Sequence, residues 1–350
     1  MSNPRVDKET SPQPFGPGLD SGPNGEGDSV EARLRQRIAA EGPIPVAEYM
    51  AEANAHYYAT RDPLGAAGDF VTAPEISQMF GELAGVWLAD LWQRAGRPAG
   101  ALYVELGPGR GTLAADALRA MRSAGLEPGV HLVETSPVLR DAQAELVPGA
   151  VWHDDLSTLP AKGALLVVAN EFFDALPTRQ FDMDGREIEV EIVDGRFSRL
   201  DWVNREDSPA STDIVRLLAR LLAAQGGAAL IVDYGYERGD SGDTLQAVCG
   251  HVHADPFEAP GERDLSAHVD FAALAAAAQG VRVSGPVAQG DWLDAMGLPL
   301  RAAALARAAP ARAEEIAEAR DRLSSPRRMG RLFRAMALSA PSWPEPAGFK

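Results

Sequence analysis

Five short, mainly apolar runs mark the middle of the chain: Leu102–Leu106, Val130–Val133, Val151–His153, Ala164–Ala169 and Ala228–Val232. Runs of this length without steady polar alternation are typical of strands covered on both faces. Helical spacing intervenes, as from Thr112 to about Ser123, so strand and helix alternate in a βαβ rhythm. That rhythm predicts an α/β fold, with a mostly parallel sheet and helices on both faces.

The flanks read differently. Glu31–Ala40 is a predicted helix, and Pro45 opens another with Val46, Tyr49 and Met50 on one face. Tyr57–Pro74 holds few helix formers and is expected to be irregular. Helical spacing returns from Pro74 to about Arg94, completing an N-terminal helical cap over 29–96 ahead of a core at 97–340. Two insertions are expected in that core, at about 178–225 and 236–269. In the first, the alternation of Arg186–Val193, the turn Asp194-Gly195 and Arg196–Trp202 predict an inserted β-hairpin. An alanine-rich helix follows Phe271. A strand is expected over Val281–Val287, then helices around Asp291–Met296, Leu300–Ala308 and Ala311–Leu323, with Met329–Leu338 as a further strand. Residues 1–28 are rich in Gly, Pro, Ser and Asp and are expected to be disordered.

The chemistry gathers where the strands end. After the first run, Gly107, Gly109 and Gly111 form G-x-G-x-G, not the G-x-G-x-x-G of dinucleotide sites. Glu105 sits two positions before the first glycine. A carboxylate there suits a cation or amine better than a pyrophosphate, which seeks helix N-terminal N–H groups. S-adenosyl-L-methionine carries a sulfonium and an ammonium but no phosphate, and it fits. Glu134 ends the second run, where an acid can accept from both ribose hydroxyls. Asp154 and Asp155 follow the third, placed to accept from an adenine amino group. Each of these acids, taken alone, reads equally well as a solvated loop residue. The fourth run ends in Asn170-Glu171-Phe172-Phe173-Asp174-Ala175-Leu176-Pro177 and the fifth in Asp233-Tyr234-Gly235-Tyr236.

Gly68–Leu83, the Glu105–Thr112 turn, Leu132–Arg140, Asn170–Pro177, Gly242–Ala247 and Asp264–Phe271 together resemble the MidA-like family of class I S-adenosylmethionine-dependent methyltransferases. That family includes the mitochondrial complex I assembly factor that acts as a protein arginine methyltransferase. The resemblance spans about residues 30 to 338 and implies a Rossmann-like core. It also implies that Thr72, Pro74 and Glu75 border the cofactor. The activity it implies is dimethylation of an arginine on the 49-kDa-type subunit of respiratory complex I during assembly. Other protein or small-molecule acceptors, and a cofactor-binding assembly chaperone without essential catalysis, are the alternatives. An arginine acceptor is always protonated, and paired carboxylates can grip its guanidinium by a bidentate fork. Glu171 is the expected principal clamp, Asp174 or Glu75 its partner, and Asn170 a residue that orients the cofactor. His268 and Asp270 are weaker candidates, for a proton acceptor or a supporting pair.

Composition narrows the partners. With 33 basic against 50 acidic residues and a net charge of −17, the chain is ill suited to nucleic acid and better suited to a basic protein segment. The single cysteine, Cys249, rules out an internal disulfide and fits a reducing compartment. His251 and His253 lack the company of a metal site, and no metal is expected. No apolar run reaches membrane-spanning length. The N-terminus resembles neither a signal nor a transit peptide, so a bacterial cytoplasmic location is expected. The helical C-terminal third reads equally as a homodimer surface or as a cap on the sheet.

Overall fold

The computed structural model describes residues 29–60, 72–237, 242–249 and 252–350. The expected tail at 1–28, and the part of the expected irregular segment from 61 to 71, lie outside the described residues. The N-terminal helices are α1 (Val30–Glu41), α2 (Val46–Thr60), the single turn α3 (Ala73–Ile76) and α4 (Gln78–Arg94). The central sheet is built from β1 (Leu102–Leu106), β2 (Gly129–Val133), β3 (Val151–His153), β4 (Leu165–Asn170), β5 (Gly227–Tyr236), β6 (Arg282–Ala288) and β7 (Phe333–Ser339). Their spatial order is β6-β7-β5-β4-β1-β2-β3. Strands β3, β2, β1, β4 and β5 run parallel, and β7 enters antiparallel between β5 and β6.

Alternation along the strands divides the interior into two apolar layers. Leu102, Val104 and Leu106 of β1 and Leu165 and Val167 of β4 face one layer, with Leu218 and Phe271. Tyr103, Leu166, Val168 and Leu230 face the other, with Trp87 and Leu113. Both faces are buried, which is why the strands read as nearly unbroken apolar runs. Helices α4 and α5 (Thr112–Ser123) cover the second face, close enough that a Cβ on Gly85 would lie 2.4 Å from the Ala117 carbonyl oxygen. After α6 (Pro137–Leu146), α7 (Pro209–Gln225) is the crossover between β4 and β5 and covers the first face with α8 (Phe271–Ala277).

A third, smaller core joins α1 and α2 to the inserted strands, through Leu34, Tyr49, Met50, Val190, Phe197 and Leu265. The hairpin forms as its alternation predicts, with Glu189–Val193 paired to Arg196–Ser198 and Asp194 and Gly195 both at positive φ. No helix among the described residues is long and apolar enough to cross a membrane.

Several expectations change. Residues Tyr57–Thr60 are helical, because Tyr57 is fully buried and continues the apolar face of α2. The Pro74–Arg94 helix breaks at extended Ser77, whose side chain caps α4 by accepting from the Met79 N–H at 3.3 Å. The helix at the end of the expected 178–225 insertion belongs to the βαβ frame. The expected 29–96 cap divides, with α1 and α2 in the small core and α4 in the main one. Asp233–Tyr236 continues β5 instead of following it, and Met329–Leu332 is a helical turn before β7.

Candidate active site

The carboxyl ends of β1, β2, β4 and β5 bring most of the expected site residues to one edge of the sheet. Gly107, Gly109 and Gly111 all hold positive φ, at 59°, 57° and 88°, which an L side chain rarely adopts. A Cβ on Gly107 would also stand 2.9 Å from the Phe172 ring. Behind the turn, Glu105 is buried beside Tyr103, whose hydroxyl donates to it. Burial pushes its carboxyl up to about 8, against the smaller opposing effect of that hydrogen bond.

At the end of β2, Glu134 is buried and accepts from the Ser136 N–H at 2.8 Å and from the Gln143 amide at 3.3 Å. Burial raises its pKa and these donors oppose the rise. Gln143, fully buried on α6, also donates to the Gly109 carbonyl at 2.6 Å and accepts from the Trp152 indole at 2.7 Å. One amide therefore ties the glycine turn to Glu134 and β3. Asp154 and Asp155 stand outside this network. Asp154 is exposed and paired with Arg140 at 2.6 Å, while Asp155 caps a 3-10 turn by accepting from the Ser157 N–H.

The end of β4 holds a tighter group of acids. Glu171, half-buried and at φ 49°, accepts from the Ala73 N–H and the Asn170 amide, each at 3.2 Å. Burial and the neighbouring Asp174 push it up to about 7. Asp174 is buried and accepts from the Tyr234 hydroxyl; burial pushes it up to about 6. Asp233 of β5 gathers the N–H groups of Phe172, Phe173 and Asp174 on one oxygen. Glu75 on α3 accepts from the Thr112 hydroxyl at 2.6 Å, so the turn Thr72–Ile76, with buried Pro74, bridges the glycine turn and Glu171. His268 sets its ring edge-on to Tyr234 at 5.5 Å, and Asp270 caps α8 by accepting from the Ala273 N–H.

Three contributors escaped the sequence reading. Gln143 carried a faint signal, since it follows Leu139 by four residues on the buried face of α6. Asp233 stood in view at the end of an apolar run but was assigned no role, and Ser136, within the Leu132–Arg140 motif, was assigned none either.

The arrangement fits the expected cofactor. The buried Asn170 Oδ1 has no hydrogen-bond partner among the described residues, and an ammonium or hydroxyl donor would satisfy it. Glu134, with donors from Ser136, Gln143 and Thr135, keeps further acceptor capacity.

Comparison with known proteins agrees. The family described as "Putative S-adenosyl-L-methionine-dependent methyltransferase" matches residues 83–206 and 193–287. A mitochondrial protein arginine methyltransferase NDUFAF7 homolog of Drosophila melanogaster is 37% identical, over 89% of this chain and 84% of its own. The NDUFAF7 protein of Homo sapiens is 36% identical, over 87% and 82%. A Burkholderia thailandensis crystal structure bound to S-adenosyl-homocysteine superposes with a TM-score of 0.78, at 28% identity over 89% of this chain and 91% of that one. The chain thus belongs, by both sequence and fold, to the S-adenosylmethionine-dependent methyltransferases.

Proposed function

We propose that this enzyme methylates an arginine of a protein acceptor. The observation that carries the reading is the pair Glu171 and Asp174, two carboxylates on one loop with pKa values raised to about 7 and 6. A guanidinium between them would relieve their mutual repulsion and return both to the charged form. The bound cofactor supplies an electrophilic methyl on a sulfonium. The protein's part is to hold the acceptor nitrogen in line and to stabilise the charge arrangement of transfer. Glu171 grips the guanidinium and Asp174, steadied by Tyr234, is its partner. Glu75 positions the α3 turn through Thr112. Once methylated, the nitrogen gives up a proton, and a carboxylate titrating near neutrality is suited to take it. Glu134, Asn170, the glycine turn, Thr72 and Pro74 would border the cofactor, with Glu105 behind the turn.

The relatives named as protein arginine methyltransferases support the arginine acceptor. The resemblance to the complex I assembly factor supports the 49-kDa-type subunit of respiratory complex I as the protein that carries it. Those relatives are named as mitochondrial proteins, and the single cysteine of this chain is in keeping with a reducing compartment. Peptide mass spectrometry of that subunit, from cells carrying the intact protein or Glu171→Gln, tests the whole reading. Dimethylarginine present only with the intact protein supports it. An unmodified subunit in both removes this acceptor, and modification in both removes Glu171 from the mechanism.

A further inference from the structure

Asp233 is wholly buried where β5 runs past the end of β4. Up to Glu171 the two strands still pair, the Glu171 N–H donating to the Val232 carbonyl at 2.9 Å. Then β4 ends and the backbone turns. The next three N–H groups, of Phe172, Phe173 and Asp174, meet one Asp233 oxygen at 3.2, 2.9 and 3.3 Å. The other oxygen accepts from the Tyr234 N–H at 3.0 Å. Glu171, at the start of this turn, is one of the few non-glycine residues at positive φ.

We propose that Asp233 is a positioning residue for methyl transfer. Its loop contacts set where Glu171 and Asp174 stand. The proposal rests on the reading that the acceptor is a guanidinium.

The choice of residue carries the argument. A neutral amide oxygen could accept the same three N–H groups. What an amide lacks is a second acceptor, since its NH2 would face the Tyr234 N–H donor to donor. Ionising the carboxyl is unfavourable in the free protein, because burial, and then the Asp174 and Glu171 charges, oppose it. Successive N–H groups form a concavity suited to an anion, which offsets part of the penalty. The surrounding groups do little to neutralise it. Arg334 faces Asp233 across the β7 ladder, but its guanidinium pairs with Glu237 at 3.2 Å. On the strand Asp264–Ser266, Asp264 adds a further acid, which accepts from the Tyr58 hydroxyl. Tyr234 hydrogen-bonds to Asp174, and Arg322 lies near Glu171.

Asp233→Asn in the full chain, beside the intact enzyme, tests this. With the purified 49-kDa-type subunit, KM for the acceptor is expected to rise about tenfold while S-adenosyl-homocysteine affinity holds. Hydrogen exchange of the Phe172–Asp174 amides needs no acceptor, and it is expected to quicken in the variant, because the Tyr234 N–H loses its acceptor and the loop loosens. Unchanged exchange overturns the proposal, since the loop then stands without Asp233. Faster exchange with a subunit that the intact enzyme does not methylate would overturn the acceptor reading alone. Asp233→Glu keeps the acid but displaces the carboxyl by one methylene. It is expected to lower kcat, also by about tenfold; kinetics like those of the intact enzyme in this variant would equally overturn the positioning role. Because it keeps the acid, it serves if Asp233→Asn does not fold.

Discussion

The carboxylates at the ends of β2 and β4 occupy similar places in the sheet and opposite electrostatic circumstances. Glu134 has donors for both oxygens, and its neighbour Gln143 is fully employed between Gly109, Glu134 and Trp152. At the end of β4, three acids crowd one loop, Glu171 sits at positive φ and the Asn170 Oδ1 lacks a partner. The first region already has its framework hydrogen bonds and leaves Glu134 further acceptor capacity. The second is built at a cost to the free protein, and such sites persist where the missing partner is supplied in function. A cation suits the second region as a hydroxyl pair suits the first.

The sharpest way to break this contrast is Glu171→Gln. It should lower kcat for the acceptor by about 10²–10³-fold, the scale of removing one preorganised electrostatic contact, while S-adenosyl-homocysteine still binds. Isothermal titration beside a turnover assay separates the two. Next in size is the pH dependence of stability in the cofactor-free protein. Asp174, Glu171 and Glu105 titrate near 6, 7 and 8 when folded, against 3.8, 4.5 and 4.5 in the ordinary case. Because the folded values are raised, the stabilising contribution is fully present below the ordinary values and is lost as pH rises through the folded ones. Stability should therefore fall as pH rises from about 4 to about 8. Glu105→Gln should flatten the upper part of that fall in thermal melts.

Gln143→Ala probes the first region. It leaves the Glu134 carboxylate short of a donor and the Trp152 indole without its acceptor, at a cost of about 1–3 kcal/mol in chemical denaturation. Weaker cofactor binding should accompany it, with kcat at saturating cofactor little changed. Asp154→Asn should do least. Its exposed ion pair with Arg140 is worth at most about 1 kcal/mol, and cofactor affinity should move less than twofold. A tenfold loss there would restore Asp154 to the adenine role expected from its position.

Legibility in the sequence followed how local each signal was. The β1 run and its glycine spacing were readable because a buried strand and a positive-φ turn depend on adjacent residues. The hairpin at Asp194-Gly195 was readable for the same reason. The break at Ser77 was not, since Glu75 and Gln78 suit a continuous helix and only packing separates α3 from α4. Among the acids, Glu134 and Asp154 looked alike as strand-end carboxylates. Burial then enclosed one and left the other in water.

The sequence alone determined the α/β frame, the order of its strands along the chain, the glycine turn and the set of polar residues at the strand ends. These follow from periodicity and backbone sterics, which act within a few residues. Only the tertiary structure decided that Asp233 would meet the loop after Glu171, some sixty positions away, and that Gln143 would join Gly109 to Glu134. It also decided which carboxyls lose their water. Desolvation depends on everything packed around a group, and no short stretch of chain carries that information.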